Sequence, residues 1–116
     1  MQIEVKGRNR VVTEDLRRRV EKRFDKIARQ VSPLARLEVE LREERNPAIP
    51  DSQVAEATLH LKGVTLRARD ASPDVLRSLN ECADDLARQV KRHRDKRRRR
   101  RGGRAQTYGE GASPAV

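Results

Sequence analysis

Three stretches of this chain alternate apolar and polar residues, and nothing else in the sequence narrows the fold as far. RLEVELRE, residues 36–43, sets Leu37, Val39 and Leu41 against Glu38, Glu40 and Arg42. From 56 to 61, Ala57, Leu59 and Leu61 oppose Glu56, Thr58 and His60; from 64 to 69, Val64, Leu66 and Ala68 oppose Thr65, Arg67 and Arg69. Side chains along a strand point to opposite faces in turn, so each run predicts a strand with one apolar and one wet side. Lys62-Gly63 joins the last two as a tight turn, because glycine readily takes the positive φ that such turns need. IEVKG at the start is a shorter strand carrying Ile3 and Val5, and it stops at Gly7. ERNPAIPDSQ, with two prolines among polar residues, reads as a loop.

Between the strands the apolar period changes to that of a helix. Leu16, Val20, Phe24, Ile27 and Val31 form one stripe over residues 13–31, with Thr13 placed as N-cap and Glu14 and Asp15 at the positive end of the dipole. Ser32-Pro33 stops this helix, since proline disfavours helical dihedrals in the residue before it. Ser72-Pro73-Asp74 opens a second helix, with Ser72 as N-cap and Pro73 at the first helical position. Val75, Leu79, Cys82, Leu86 and Val90 make its stripe, with Leu76 and Ala83 beside it. Gly102-Gly103 is expected to end it, leaving a flexible Gly/Ala/Ser-rich tail to residue 116. The order is strand, helix, three strands, helix. The predicted class is α+β: a two-layer domain of one four-stranded sheet with both helices on one face and a wet opposite face.

Composition limits what that domain can do. Hydrophobic residues are 34% of the 116, or about 39% with the six glycines, against a usual ~45–50%; charged residues are 40% against ~25%. One modest core is all this allows. Phe24 and Tyr108 are the two aromatics, too few for a platform that stacks unpaired bases. A single cysteine excludes an internal disulfide, and His60 and His93 lack zinc-ligand spacing. There is no run of about 18 apolar residues, and MQIEVKGRNR carries charge where a signal peptide is apolar, which points to a cytoplasmic protein.

Catalytic constellations are also missing. Cys82 falls on an apolar stripe, where a thiol is a small core residue; Asp84-Asp85 reads as a solvated helix face; no phosphate loop or nucleophile elbow occurs. These patterns predict no enzyme, cofactor, metal or small-molecule substrate. What they leave is positive charge. Residues 1–90 hold 18 Lys/Arg against 16 Asp/Glu, whereas residues 91–104, KRHRDKRRRRRGGR, hold ten basic residues and one acidic. That density asks for a polyanion, with nucleic acid ahead of an anionic membrane surface. Arg17, Arg18, Lys22, Lys26 and Arg29 lie off the first apolar stripe. Arg88, Lys91, Arg92, His93, Arg94, Lys96, Arg97 and Arg98 follow along the second helix. With the helices side by side, these merge into one basic strip. Guanidinium donors fit phosphate oxygens bidentately, which holds position without reading sequence, so structured RNA recognised by its shape is the expected ligand. Residues 36–56, with three basic and six acidic residues, are expected to face away.

The residues also resemble a known family. MQIEVKGRNRVVTEDLRRRVEKRF at the start, ATLHLKG at 57–63 and DLARQVKRHRDK at 85–96, in this order and spacing, are similar to motifs of the ribosome hibernation promoting factor family. That family includes the ribosome-associated inhibitor once described as a sigma-54 modulation protein. The resemblance covers about residues 1–96 and implies a β-α-β-β-β-α domain shaped like double-stranded RNA-binding domains. It implies a monomer lodged between head and body of the small ribosomal subunit, held by ribosomal RNA at the decoding region and covering messenger and transfer RNA sites. Translation is then blocked reversibly and idle ribosomes are preserved. The family's helical cations correspond to Arg17, Lys22, Lys26, Arg88, Lys91, Arg92, Arg94 and Lys96, and His60 and His93 fall at histidines of its motifs.

This chain departs from the pattern in three places. Asp85 stands where relatives usually carry a lysine, the Arg97–Arg101 run exceeds the usual basic ending, and residues 97–116 hold an Arg-rich helix extension and tail instead of a second, ribosome-pairing domain. Two other readings compete with ribosome binding. One is a protein-binding modulator of sigma-54-dependent transcription acting through the acidic segment 36–56, and the other is a general RNA chaperone gripping through its tail.

Overall fold

The four strands lie in sequence order across one sheet: β1 (Gln2–Arg8), β2 (Arg36–Glu43), β3 (Gln53–Leu61) and β4 (Val64–Ser72). β1 pairs parallel to β2, and the remaining two pairings are antiparallel. The computed structural model describes the backbone of residues 1–110 and the side chains of residues 1–99. Register explains the core directly. Val5, Val39, Ala57 and Ala68 line up across the sheet, as do Ile3, Leu37, Leu59 and Leu66, and these rows point to the helical layer. The intervening rows stay wet, as the alternation predicts, and Glu38, Glu40, Glu56 and Arg69 lie on them.

At the β3–β4 hairpin Leu61 faces Val64, so the loop is Lys62-Gly63 alone. Gly63 sits at φ 79° while Lys62 stays at negative φ, the pattern of a type II turn. Gly7 is required for a different reason. A Cβ there would lie 2.2 Å from the Arg10 carbonyl oxygen, where the chain folds back beyond β1 with Asn9 at φ 56°.

The first helical region is divided into α1 (Glu14–Arg23) and a single turn, α2 (Asp25–Ala28), where one helix over 13–31 was expected. The interruption is Phe24, whose ψ of 3° departs from helical geometry. Hydrogen bonds nevertheless run through it, from Phe24 N to Val20 O and from Ala28 N to Phe24 O. The apolar stripe therefore keeps its phase, and Leu16, Val20, Phe24 and Ile27 are all buried. Thr13 caps as predicted, its hydroxyl accepting from Leu16 N at 3.1 Å.

The last helix, α3, spans Val75–Glu110. Its cap lies two residues later than the sequence suggests. Ser72 ends β4, and Asp74 is the N-cap: its carbonyl accepts from Ser78 N, and its carboxylate accepts from Arg77 N at 3.3 Å. Ser72 instead joins strand to helix. Its hydroxyl and that of Ser78 are buried 2.6 Å apart, and Ser78 Oγ donates to Gln53 O at 2.6 Å. Gly102-Gly103 does not end α3, which continues to Glu110. The predicted end of the tail, residues 111–116, lies outside the described residues. Both helical segments and α3 pack on one face of the sheet around a single cluster that includes Phe24, Leu37, Leu41, Leu59, Leu79 and Leu86. The expected two-layer α+β arrangement is therefore present.

Candidate nucleic-acid interface

Contacts between the helices set the geometry of the charged surface. Asp15 and Leu16 share a hollow with Leu76, the Arg23 side chain reaches Asn80 and Asp84, and Arg94 reaches Gln30. Later residues of the first region thus meet later residues of α3, so the two run parallel, side by side. Arg23 is the clasp, its Nε donating to Asn80 Oδ1 at 2.9 Å and its Nη2 to Asp84 at 2.6 Å.

Between the helices runs a groove lined by Arg19, Lys22, Arg23 and Lys26 on one side and by Leu76, Leu79 and Asn80 on the other, with Asp15 at its end. Lys22 and Lys26 are where the sequence puts them. Arg19 and Arg23 were not among the expected residues, although spacing could have found them: 19, 22, 23 and 26 are i, i+3, i+4 and i+7, one helical stripe. Arg17 and Arg18 do not line this groove. Arg17 is half-buried, and Arg18 is exposed with Glu14 at 4.0 Å.

Ion pairing sorts the cations further. Arg19 is held by Asp15 at 3.1 Å, Arg29 by Asp25 at 2.5 Å, and Arg88 by Asp85. Among the described residues no carboxylate partners Lys22, Lys26, Lys91, Arg92, Lys96, Arg97 or Arg98, all exposed. Exposed pairs contribute little to stability, so Arg18, Arg19 and Arg29 can exchange their carboxylates for phosphates at small cost. His93 and Arg94 are half-buried and, with Arg97, line a separate cleft near the β3–β4 turn.

The opposite side of the sheet has mixed charge. Arg42 lies 3.2 Å from Glu40 and 3.9 Å from Glu56, and His60 Nε2 lies 3.2 Å from Glu38. The hydrogen bond from His60, helped by the positive charges of His60, Arg36 and Lys6, holds the Glu38 carboxyl below its usual range. Exposed Lys6, Arg36, Arg67 and Arg69 lie on this side as well, but they share it with Glu4, Glu38, Glu40 and Glu56, so Glu38, Glu40 and Glu56 of the acidic segment point away from the helices and the cations of this face are interleaved with carboxylates.

Cys82 is fully buried with Sγ donating to Ala68 O at 3.5 Å, and burial pushes its thiol up to about 12, far from a thiolate at neutral pH. Asp84 is exposed as expected, but Asp85 is half-buried beside Asp70 on β4. Burial first, and then the facing Asp85 carboxylate, raise Asp70 to about 6. No group of His, Cys, Asp and Glu among the described residues could hold a metal, and no helix among them is long and apolar enough to cross a membrane.

The family described as Sigma 54 modulation protein / S30EA ribosomal protein matches residues 3–98, which takes in all four strands of the sheet but for Gln2, both segments of the first helix and α3 as far as Arg98. The chain belongs to this family. A ribosome hibernation promoting factor of Salmonella typhimurium is 33% identical over 96 residues, covering 83% of this chain and 96% of that protein. A ribosome hibernation promotion factor of Picosynechococcus is 29% identical over 97 residues, and this chain spans only 50% of its length. Among solved structures, the Thermus thermophilus protein Y N-terminal domain superposes with a TM-score of 0.69 at 26% identity, covering 80% of this chain and 99% of that domain. A ribosomal subunit interface protein from Coxiella burnetii shares the fold at a TM-score of 0.68 and 17% identity, covering 82% and 99%.

Proposed function

We propose that this domain is a ribosome-bound translation inhibitor, seated on small-subunit ribosomal RNA at the decoding region so that messenger and transfer RNA sites are blocked while idle ribosomes are preserved. The observation that carries the RNA half of this reading is the charge geometry. Lys22 and Lys26 line the interhelical groove, and Lys91, Arg92, Lys96, Arg97 and Arg98 continue along the same layer without carboxylate partners among the described residues. Family membership and the names of the relatives support the ribosomal half. The domain acts by occupying space: its cations take the place of the counterions of a folded RNA groove, and a rigid two-layer body fills it. No bond is made or broken. The partner is the small subunit, met by a cytoplasmic monomer.

Sedimentation of stationary-phase lysates tests the reading. The protein should travel with ribosomes at low salt and leave them at high salt, since log affinity falls by about 0.7–0.9 per decade of salt for each phosphate neutralised. Recovery in the free fraction under both conditions would overturn it. Nuclease treatment of a pull-down separates it from transcriptional control, because RNA-held partners disperse and a polymerase contact survives.

A further inference from the structure

The cleft holding His93, Arg94 and Arg97 lies beyond the interhelical groove along the same two elements, and the strip-and-groove reading leaves it unused. It measures about 530 Å³, the size of a small-ligand site. Its walls are of two kinds. Val31, Leu34, Leu61 and Val90 are apolar; Lys62, Arg94 and Arg97 are cationic, with the two histidines between, and no carboxylate lines it.

Arg94 is the informative residue. Its Nη1 donates to Gln30 Oε1 at 3.3 Å, which pins the guanidinium between helix and loop, yet its Nε is buried without an acceptor among the described residues. A buried donor left unpaired costs about 1–3 kcal/mol, and an acceptor in the cleft can relieve it only if the side chain turns its Nε toward the opening. Leu34, at 93% exposure, presents a leucine to water at the mouth of the same cleft. An apolar wall, a cationic rim and one unsatisfied guanidinium donor call for a ligand with a flat, weakly polar body and an attached anion.

We propose that this cleft takes one unstacked nucleotide of the bound RNA, its base against Leu34 and Leu61 and its phosphate on Lys62, Arg94 and Arg97. The proposal rests on the RNA-binding reading above. RNA is favoured as the source because Lys91, Arg92 and Lys96 are interspersed along α3 with the cleft residues Val90, His93, Arg94 and Arg97, so a strand held by the strip lies within about one helix diameter of the cleft. Enclosure between aliphatic walls replaces aromatic stacking, so the cleft would hold a nucleotide without reading which base it is. Lys62 thereby becomes an RNA contact outside the two helices.

The test compares two RNA hairpins of equal stem length, one fully paired and one carrying a single unpaired adenosine, by fluorescence anisotropy at fixed salt. Wild type should bind the bulged RNA about 5–10-fold more tightly, and the charge-neutral Leu34→Asn should abolish that preference while keeping affinity for the paired hairpin within about twofold. Leu34 is exposed, so the variant should fold. Independently of it, methyl resonances of Leu34, Leu61 and Val90 in the wild-type protein should move with the bulged RNA and not with the paired one. Salt-dependent binding of both RNAs with no preference and no methyl shifts would overturn the cleft proposal alone. Failure of either RNA to bind would overturn the RNA reading beneath it. Methyl shifts with adenosine monophosphate alone, or with an acidic peptide alone, and none with bulged RNA would reassign the cleft and refute the proposal.

Discussion

Replacing Asp70 by Asn should stabilise the domain at neutral pH and do nothing at pH 3. Asp70 is half-buried beside Asp85, and its Oδ2 is buried without a donor among the described residues. Burial, and then the hydrogen bond that it can donate to Asp85 only when protonated, raise its carboxyl from 3.8 to about 6. A carboxyl raised in the fold favours folding while both states are protonated, below pH 3.8, and loses that contribution as pH rises through 6. At about 1.36 kcal/mol per pH unit, the interval from 3.8 to 6 corresponds to at most about 3 kcal/mol of destabilisation at pH 7.5. Solvent screening at this partly open site reduces that to about 1–2 kcal/mol. With a urea slope of about 1–3 kcal/mol/M, the midpoint of Asp70→Asn should lie roughly 0.3–2 M above wild type at pH 7.5, and the gap should close between pH 6 and 4. A gap that does not change with pH, or an Asn variant less stable at pH 7.5, would refute the reasoning.

Three further substitutions probe the fold. Phe24→Ala empties the fully buried position where α1 meets α2 and should cost about 3–5 kcal/mol in urea unfolding. Ser78→Ala leaves Gln53 O and the Ser72 hydroxyl without their buried partner, an expected loss of about 1–3 kcal/mol by the same measurement. Gly7→Ala forces a Cβ to within 2.2 Å of Arg10 O, so the return of the chain after β1 must shift. Thermal unfolding should register about 1–3 kcal/mol for Gly7→Ala, as for other overpacked sites.

Alternation made the sheet legible because each strand has one wet face. Leu37, Val39 and Leu41 against Glu38, Glu40 and Arg42 leave no second assignment, and the glycine at position 63 marks the hairpin. The same parity carried one step past Ala68 puts Asp70 on the helical side, opposite Ala55 and in the row that continues to Leu41. An acidic residue at an inward position was thus readable, but its meeting with Asp85 depends on how α3 packs against β4, which no local pattern contains. Residues 84 and 85 look alike in sequence. One is a surface clasp for Arg23 and the other half of a carboxylate pair. Caps followed similar logic: Thr13 was unambiguous, whereas Ser72 and Asp74 compete two residues apart, and the extra length of β4 decides for Asp74.

The basic residues were legible as a set and not as a surface. Their excess on α1 and α3 is a property of composition, but whether a cation is free depends on neighbours such as Asp25 for Arg29 and Asp85 for Arg88. Arg19 and Arg23 entered the groove because the helices run parallel, a fact fixed by tertiary packing. His93 and Arg94 left the strip for the cleft, and Arg97 borders both, because α3 outruns its apolar stripe, so positions in phase with Val90 meet the loop before β2 instead of the core.

The central claim is that exposed, unpartnered cations on the helical layer dock this domain on the small subunit and so silence translation. Inhibition of cell-free protein synthesis by the variant Lys22→Glu, Lys26→Glu, Lys91→Glu, Arg92→Glu, with its fold checked by circular dichroism, tests this most directly. All four side chains are exposed and none is ion-paired among the described residues, so folding should survive. Inhibition and co-sedimentation with small subunits should both be lost. A folded variant that suppresses synthesis as strongly as wild type would contradict the account.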